Sequence, residues 1–196
     1  MGAGAAPWST ALAVVEPGVR VTCLDLPQVL AETRRSVAAA GLSERFDYLP
    51  GDVFTTALPT AAYDLVLLGN VCHLFDPATN AALLRRLRPA LVPGGTLAII
   101  DVLPPVDPAA RARVALYELG LLLRTDRGRV YSVEDYLGWA QAAGLGGLGV
   151  QPIDGPVDLG LVTARTPDPD RRHQSVPAGP AGDGTDPICG LPGGRG

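Results

Sequence analysis

The sequence of 196 residues predicts an α/β fold with a doubly wound, mostly parallel sheet and a C-terminal antiparallel hairpin. Two observations predict it. Short apolar runs alternate with amphipathic segments of helical length, which is typical of parallel strands joined by crossover helices. The run at residues 19–27, VRVTCLDLP, ends in an acid and is stopped by proline. It has the pattern of a buried parallel strand with Asp25 at its carboxyl end, where open α/β sheets bind ligands.

The first half of the chain alternates regularly between the two kinds of element. Residues 7–15 have helical spacing, and either Pro7 or Ser9 can begin that helix. Residues 28–40 form a second predicted helix, which Gly41 closes. The remaining elements predicted here are strands at residues 46–49, 63–70 and 96–101 and an amphipathic helix at residues 77–91.

The second half is predicted to add helices and a hairpin. Residues 107–123 are apolar on most sides, which fits a lid or interface helix and equally a helix buried on the sheet. Ser132 can cap a helix at residues 133–143. Strands at residues 148–153 and 157–164 would pair as an antiparallel hairpin at the sheet edge. Residues 1–165 therefore form the expected domain. Residues 166–196 are rich in Pro and Gly and too poor in apolar residues to fold, so a disordered tail is expected.

The beginning of the sequence is unusual for such a fold. A nucleotide-binding glycine turn normally follows a strand, but only Met1 precedes Gly2. That strand would be central in the sheet, so the first strand is apparently missing. Either the chain is a fragment, or its start is misassigned, or the sheet has an unfilled slot beside residues 21–26.

Composition excludes several classes of function. The net charge of −4 argues against a general nucleic-acid binder. No apolar run has transmembrane length, and we expect no membrane association. The three cysteines have no metal-ligand spacing, so no metal site is expected. Cys23 and Cys72 lie in apolar strand contexts, which is typical of buried free thiols in a reducing cytoplasm.

The spacing of glycines and acid points to a nucleoside. A glycine-rich stretch, Gly2-Ala3-Gly4, stands near the start of the sequence, and Asp25 lies 21 residues beyond Gly4. An acid about 20 residues beyond a glycine-rich turn typically accepts the hydroxyls of a ribose. The spacing therefore predicts a nucleoside site around Asp25.

Four motifs in order carry a family resemblance. They are the Gly2-x-Gly4 turn, the Asp25-Leu26-Pro27 strand end, the Gly51-Asp52-Val53-Phe54 segment, and Pro93-Gly94-Gly95 before a strand that ends in Asp101. Together they resemble the S-adenosylmethionine-dependent methyltransferases, and most closely the catalytic domain of small-molecule O-methyltransferases of the plant and bacterial type, which includes the caffeate and hydroxyindole enzymes. The resemblance covers residues 2–165 and implies a Rossmann-like sheet.

The resemblance also implies which residues bind S-adenosylmethionine. The cofactor loop would contain Gly2 and Gly4, and Asp25 would accept the ribose hydroxyls. Leu26 would lie against the adenine, whose amino group would donate to Asp52. Val53 or Phe54 would pack on the adenine ring.

The resemblance implies chemistry as well. His73 matches the family's catalytic histidine, and Asp101 matches the acid that steadies it. The expected reaction is methyl transfer to a hydroxyl of a small, aromatic or secondary-metabolite acceptor. The family's lysine before the histidine is Gly69 here, and a second acid is replaced by Val130. The family's N-terminal winged-helix domain has no counterpart in the sequence, and a homodimer is expected if the full protein has one.

Two alternatives stay open at the level of sequence. The chain could be a truncated remnant that binds cofactor without turnover, or that acts as a partner subunit. A nicotinamide-dependent oxidoreductase shares the glycine and acid spacing, but the Asp52-Val53-Phe54 segment and the lack of lysine for a Tyr-x-x-x-Lys pair oppose it. Glu118 is expected at the surface or an interface, and His173 lies in the predicted tail.

Overall fold

The computed structural model of the protein describes residues 1–105, 111–153 and 158–169. Along them, helices and strands follow one another in nearly the predicted order. The helices are α1 (Pro7–Val15), α2 (Pro27–Ala39), α3 (Pro77–Leu87), α4 (Arg111–Arg124) and α5 (Val133–Ala142). The strands are β1 (Val21–Asp25), β2 (Phe46–Pro50), β3 (Tyr63–Gly69), β4 (Leu91–Val102), β5 (Gly146–Ile153) and β6 (Leu159–Arg165).

The strands form a parallel part and an antiparallel part, so the predicted fold class is confirmed. β1 pairs in parallel with β2, and β3 pairs in parallel with β4. The predicted hairpin is present, with β5 at the edge and β6 paired between β5 and β4 in antiparallel fashion. Among the described residues, no ladder joins β1 to β3. One sheet therefore contains β1 and β2, and a second contains β3, β4, β6 and β5 in that order.

Two elements differ in length from their predictions for local reasons. The helix predicted at residues 77–91 ends at Leu87, and a short 3₁₀ turn, Arg88–Ala90, follows it. Pro89 lacks an N–H and cannot continue an α-helix, which explains the change. β4 begins before residue 96, and the Pro93-Gly94 turn is accommodated within it as an irregularity in its register with β3.

The helix caps follow the sequence closely. The Asp76 side chain accepts a hydrogen bond from the Thr79 backbone N–H and begins α3. Ser132 caps α5, as predicted, and forms a capping box with Asp135, each side chain bonding to the backbone of the other. These caps fix where α3 and α5 begin.

Each of the two sheets packs on its own apolar core. The larger lies among β3, β4, α3 and α5 and includes Leu68, Leu84 and Ile99. The smaller lies among α1, α2, β1 and β2. Cys23 and Cys72 are buried free thiols, as predicted, while Cys189 lies outside the described residues, as does the rest of the tail from residue 170. Within the described ranges, every helix is too short or too polar to cross a bilayer.

Candidate active site

Asp25 is hydrogen-bonded to the glycine loop. The Gly4 N–H donates to Oδ2 of Asp25 at 2.9 Å, and the Leu26 N–H donates to Oδ1 at 2.7 Å. Gly2 and Gly4 have φ values of 60° and 51°, in the left-handed region that favours glycine. The loop can therefore fold back onto the carboxyl end of β1 and meet the carboxylate there.

A buried threonine that the sequence analysis did not single out also supports this loop. The hydroxyl of Thr33 donates to the carbonyl oxygen of Gly4 at 2.5 Å, and the residue is fully buried. Leu30, Thr33 and Val37 lie on the buried face of α2. A hydroxyl at a core position of an amphipathic helix needs a hydrogen-bond partner. The position of Thr33 among apolar residues was therefore the signal in the sequence that this side chain is hydrogen-bonded.

A cavity of about 340 Å³ opens beside the glycine loop and the N-terminus of α1. Gly69 and Asn70 line its far side. A Cβ placed on Gly69 would lie 2.6 Å from Cδ1 of Trp8, whereas a Cβ on Gly4 would meet no atom within 4 Å. Trp8 therefore fills the space beside Gly69, the position at which the family that the sequence resembles has a lysine. The space above Gly4 is open.

The second acid predicted for the cofactor lies close to the first. The carbonyl oxygen of Asp25 accepts from the Gly51 N–H at 2.9 Å, so the chain that leaves β2 lies against the end of β1. Asp52 follows, exposed, with its Oδ1 accepting from the Phe54 N–H at 2.6 Å in a local turn. Leu26 is 41% exposed. The predicted cofactor residues thus stand at the carboxyl ends of two adjacent parallel strands.

Phe54 and Val53 occupy different surroundings from the acids. Both pack partly buried against the larger core, and the Phe54 ring meets Phe75 edge-on with centroids 4.9 Å apart. The Val53 carbonyl accepts from the Arg86 guanidinium at 2.9 Å. The segment after Asp52 is therefore anchored to the loop that follows β3.

His73 and Asp101 form a buried pair. His73 lies in a short 3₁₀ turn, Cys72–Leu74, just after β3, and Asp101 lies near the end of β4. The His73 backbone N–H donates to Oδ2 of Asp101 at 3.1 Å, and the ring nitrogen Nδ1 is hydrogen-bonded to Oδ1. Their side chains are only 5% and 1% exposed. The structure thus brings together two residues that the sequence places 28 positions apart.

The loop that carries His73 is held from several sides. The side-chain amide of Asn80 donates to the carbonyl oxygens of Cys72 and Phe75, at 2.9 and 3.3 Å. The carbonyl of His73 accepts from the Arg129 N–H at 3.0 Å. Tyr131 donates its hydroxyl to the Phe75 carbonyl at 2.5 Å. These bonds hold the backbone on both sides of His73, and the ring itself is held by its bond to Asp101.

Asp101 also influences the titration of its neighbours. Burial raises the pKa of the Cys72 thiol well above its ordinary value, and the Asp101 carboxylate adds to the effect. Burial raises the pKa values of the Tyr117 and Tyr136 phenols, again with a contribution from Asp101. All three groups therefore stay neutral near pH 7.

Helix α4 adds two side chains whose roles the sequence did not reveal. The Tyr117 hydroxyl lies 3.5 Å from His73 Nδ1 and 3.5 Å from Nε2. Glu118, expected at a surface or interface, is half-buried, and its Oε1 accepts from the Val130 N–H at 3.2 Å. A carboxylate from α4 therefore approaches the position where the family's second acid is replaced by Val130.

Comparison with known proteins agrees with this arrangement. The O-methyltransferase domain family matches residues 1–146. The tetracenomycin polyketide synthesis 8-O-methyl transferase TcmO of Streptomyces glaucescens is 30% identical over 145 residues, 74% of this chain and 42% of its own length. The L-tyrosine C(3)-methyltransferase of Streptomyces lavendulae is 32% identical over 158 residues, 79% of this chain and 42% of its own.

A solved structure shows the same fold. The structure of PigF with SAH superposes with a TM-score of 0.73 at 30% identity, covering 84% of this chain and 48% of that one. PigF of Serratia sp. (strain ATCC 39006) is an S-adenosyl-L-methionine-dependent methyl transferase. The chain spans less than half the length of these relatives. With a match over residues 1–146, the chain belongs to the O-methyltransferase domain family.

Proposed function

We propose that this chain binds S-adenosylmethionine beside Asp25 and transfers a methyl group to a hydroxyl of a small acceptor, with His73 as general base. The observation that carries the proposal is the buried hydrogen bond between His73 and Asp101. This pair stands at the carboxyl ends of β3 and β4, and Asp25 and Asp52 stand at those of β1 and β2. Ligands of open α/β sheets bind at such strand ends.

The residues around the glycine loop fit the cofactor. The Asp25 carboxylate accepts two backbone N–H groups and keeps further lone pairs for the ribose hydroxyls. The exposed Asp52 offers an acceptor for the adenine amino group, and Leu26 and Phe54 offer apolar surface for the ring. When bound, the cofactor supplies a methyl group already activated on a sulfonium.

The His73–Asp101 geometry suits proton removal. If Nδ1 donates its hydrogen to Asp101, the lone pair of Nε2 is free to accept the proton of the acceptor hydroxyl. A phenol has a pKa of about 10 and is mostly protonated at pH 7, so a base is required. A positioned base contributes roughly 100- to 10,000-fold. Asp101 would hold the tautomer and stabilise the imidazolium that forms.

The relatives favour an aromatic acceptor. One is named for O-methylation in polyketide synthesis, and another for methylation of a tyrosine carbon, beside its phenolic oxygen. Tyrosine carries a phenolic hydroxyl, which a histidine can deprotonate. We therefore propose a phenolic acceptor for this chain. Membership of the O-methyltransferase domain family decides against the nicotinamide-dependent alternative.

A second candidate is a chain that binds cofactor without turnover. The observation that favours it is the lack of any ladder between β1 and β3 within the described residues, directly beside the glycine loop. Without continuous pairing between β1 and β3, the glycine loop would bind the cofactor without orienting its methyl group, and orientation supplies much of the rate in such displacements.

The test separates binding from catalysis. Calorimetry with S-adenosylhomocysteine measures cofactor affinity, and transfer of a labelled methyl group to a panel of simple phenols measures turnover. We expect His73→Ala to lower turnover about 100-fold or more while affinity changes less than about threefold. Asp25→Ala should weaken affinity first. Equal losses of affinity and turnover in His73→Ala would contradict a base, and tight binding without any turnover in the unmodified chain would favour the second candidate.

A further inference from the structure

Asp52, the acid proposed to bind the adenine, lies in a single closed turn of residues 51–56, which we call the Asp52 turn. The N–H groups of Thr55 and Thr56 donate to the Asp52 carbonyl oxygen at 3.2 and 2.9 Å. A Cβ on Gly51 would collide with the Thr56 hydroxyl, so the end of the turn folds back onto its beginning. A lone turn of this kind fixes many dihedral angles for few hydrogen bonds and is not stable without outside support.

The two carboxylate oxygens of Asp52 have different surroundings. Oδ1 accepts from the Phe54 N–H at 2.6 Å, which is the contact of an Asx-turn. Oδ2 accepts no hydrogen bond from the part of the chain that the structure describes, and the residue is exposed. The closed turn therefore fixes Oδ1 and, through it, the direction in which the free oxygen points.

The carbonyl side of the turn is held by one side chain of α3, Arg86. Its Nε donates to the Val53 carbonyl oxygen at 2.9 Å, and its Nη2 donates to the Thr56 carbonyl oxygen. A planar guanidinium presents these donors in a rigid fork, and hydrogen bonds from a charged donor are roughly twice as strong as those between neutral groups. Arg86 is half-buried, so water competes for these bonds only in part.

Helix α3 is a fixed base for this contact. Three leucines of its inner face are fully buried in the larger core: Leu83, Leu84 and Leu87. Arg86 reaches the Asp52 turn from this helix, although the turn itself follows β2 of the other sheet. The two hydrogen bonds of Arg86 therefore tie the adenine acid to the part of the fold that carries His73.

We propose that Arg86 is a positioning residue for the cofactor: it keeps the Asp52 turn closed, with Oδ2 of Asp52 placed to accept the 6-amino group of adenine. The inference rests on the proposed function and adds to it a residue that acts through another. By this route Arg86 sets the preference of the site for adenine over a purine without the amino group. A site built to hydrogen-bond a ligand group discriminates against the analogue that lacks it.

Two ligands that differ by one group measure this preference. One is S-adenosylhomocysteine, and the other is the same molecule with purine in place of adenine, which lacks only the 6-amino group. Calorimetry gives the affinity of each. We expect the unmodified chain to bind S-adenosylhomocysteine about tenfold more tightly, roughly the effect of one hydrogen bond to a charged group.

Substitutions on α3 then test Arg86. Arg86→Met removes the fork and keeps an unbranched side chain, and we expect the preference to fall to about threefold or less, because only S-adenosylhomocysteine loses a bond. Arg85→Met is the matched control, since Arg85 is the preceding residue of α3, is exposed and carries the same charge. Its preference should stay near tenfold. Arg86→Lys keeps the charge without the fork and should show an intermediate preference, which also carries the test if Arg86→Met does not fold.

The same titrations can overturn the inference. An unchanged preference in Arg86→Met, or equal losses of affinity for both ligands, would mean that Arg86 only supports the fold. The same loss of preference in Arg85→Met would mean that the effect is one of charge alone. An unmodified chain that binds both ligands equally would contradict the contact between Asp52 and the amino group but leave cofactor binding intact. An unmodified chain that binds neither would contradict the proposed function itself, so the two failures are distinguishable.

Discussion

The phenolic oxygen of Tyr117 lies 3.5 Å from both ring nitrogens of His73, and the two rings are perpendicular with centroids 5.6 Å apart. A distance of 3.5 Å is at the limit of a hydrogen bond. Equal distances to the two nitrogens also mean that the hydroxyl is centred on neither of them. Tyr117 therefore covers the imidazole, and its contact with Nε2, the nitrogen that the proposed base would use, is a long one.

This geometry predicts different effects for two substitutions of Tyr117. Tyr117→Phe keeps the ring, so turnover should stay within about threefold of the unmodified chain. Tyr117→Ala removes an edge-to-face contact worth about 0.5–1.5 kcal/mol and should lower turnover by up to about tenfold. Steady-state kinetics and cofactor calorimetry measure both. An equally large loss in Tyr117→Phe would mean that the hydroxyl itself takes part in proton transfer.

Thr33 offers a test of how the glycine loop is supported. Thr33→Val keeps the shape of the side chain but removes the donor to the Gly4 carbonyl, and we expect a loss of about 1 kcal/mol in the free energy of unfolding. Affinity for S-adenosylhomocysteine should fall about threefold to tenfold because the loop loses an anchor. Chemical denaturation and calorimetry measure the two effects.

Thr10→Val is the matched control for that experiment. The Thr10 hydroxyl is buried and makes no hydrogen bond to any described residue. Removing it leaves no partner unsatisfied, so stability should be unchanged or slightly higher. If Thr10→Val and Thr33→Val destabilise equally, the bond between Thr33 and Gly4 contributes nothing specific.

Gly69 and Trp8 should be coupled. A Cβ on Gly69 would lie 2.6 Å from Trp8 Cδ1, so Gly69→Ala should destabilise by about 1–3 kcal/mol through overpacking. In a Trp8→Val background the same change should lose most of its effect. A double-mutant cycle on the free energy of unfolding measures the coupling. Additive effects would show that Trp8 does not occupy this space in solution.

In a recombinant chain that begins at Met1, the buried N-terminal ammonium predicts a pH dependence of stability. The pKa of the Met1 amine is lowered in the folded state, so the unfolded chain binds more protons and stability rises with pH between the lowered pKa and about pH 8. An N-acetylated chain lacks this charge. Its stability advantage should be largest at the acid end of that window and should shrink towards pH 9. Thermal melts of both chains at pH 6 and pH 9 measure it, and a difference that does not change with pH would argue for a steric effect alone.

Much of the fold could be predicted because its signals are local. Strands such as β3 are apolar runs, and caps such as Ser132 are set by residues three positions apart. The spacing of the glycines and Asp25 predicts a nucleoside site at a strand end, but the hydrogen bond between Gly4 and Asp25 is seen only in the structure. His73 and Asp101 came from a family resemblance, and parallel pairing of β3 with β4 explains why the two meet.

The parts that could not be predicted depend on packing between distant segments. Nothing near Tyr117 in the sequence indicates that α4 would bring its hydroxyl to His73. Likewise, Trp8 fills the space at Gly69 only because α1 packs beside the end of β3. The sequence shows Thr33 as a polar residue on an apolar helix face, but it does not indicate that the Gly4 carbonyl is its hydrogen-bond partner.

The register of β6 has a practical consequence for shortening the chain. Asp101 pairs with Gly160 across β4 and β6, and a Cβ on Gly160 would lie 2.2 Å from Leu103 Cδ1, so the two strands approach closely beside the site. A recombinant protein cut at residue 146, where the family match ends, would keep Asp25, His73 and Asp101 but lose β6. Its long strand β4 would become an unprotected edge, which is a known route to aggregation, so expression trials should retain residues up to at least Arg165.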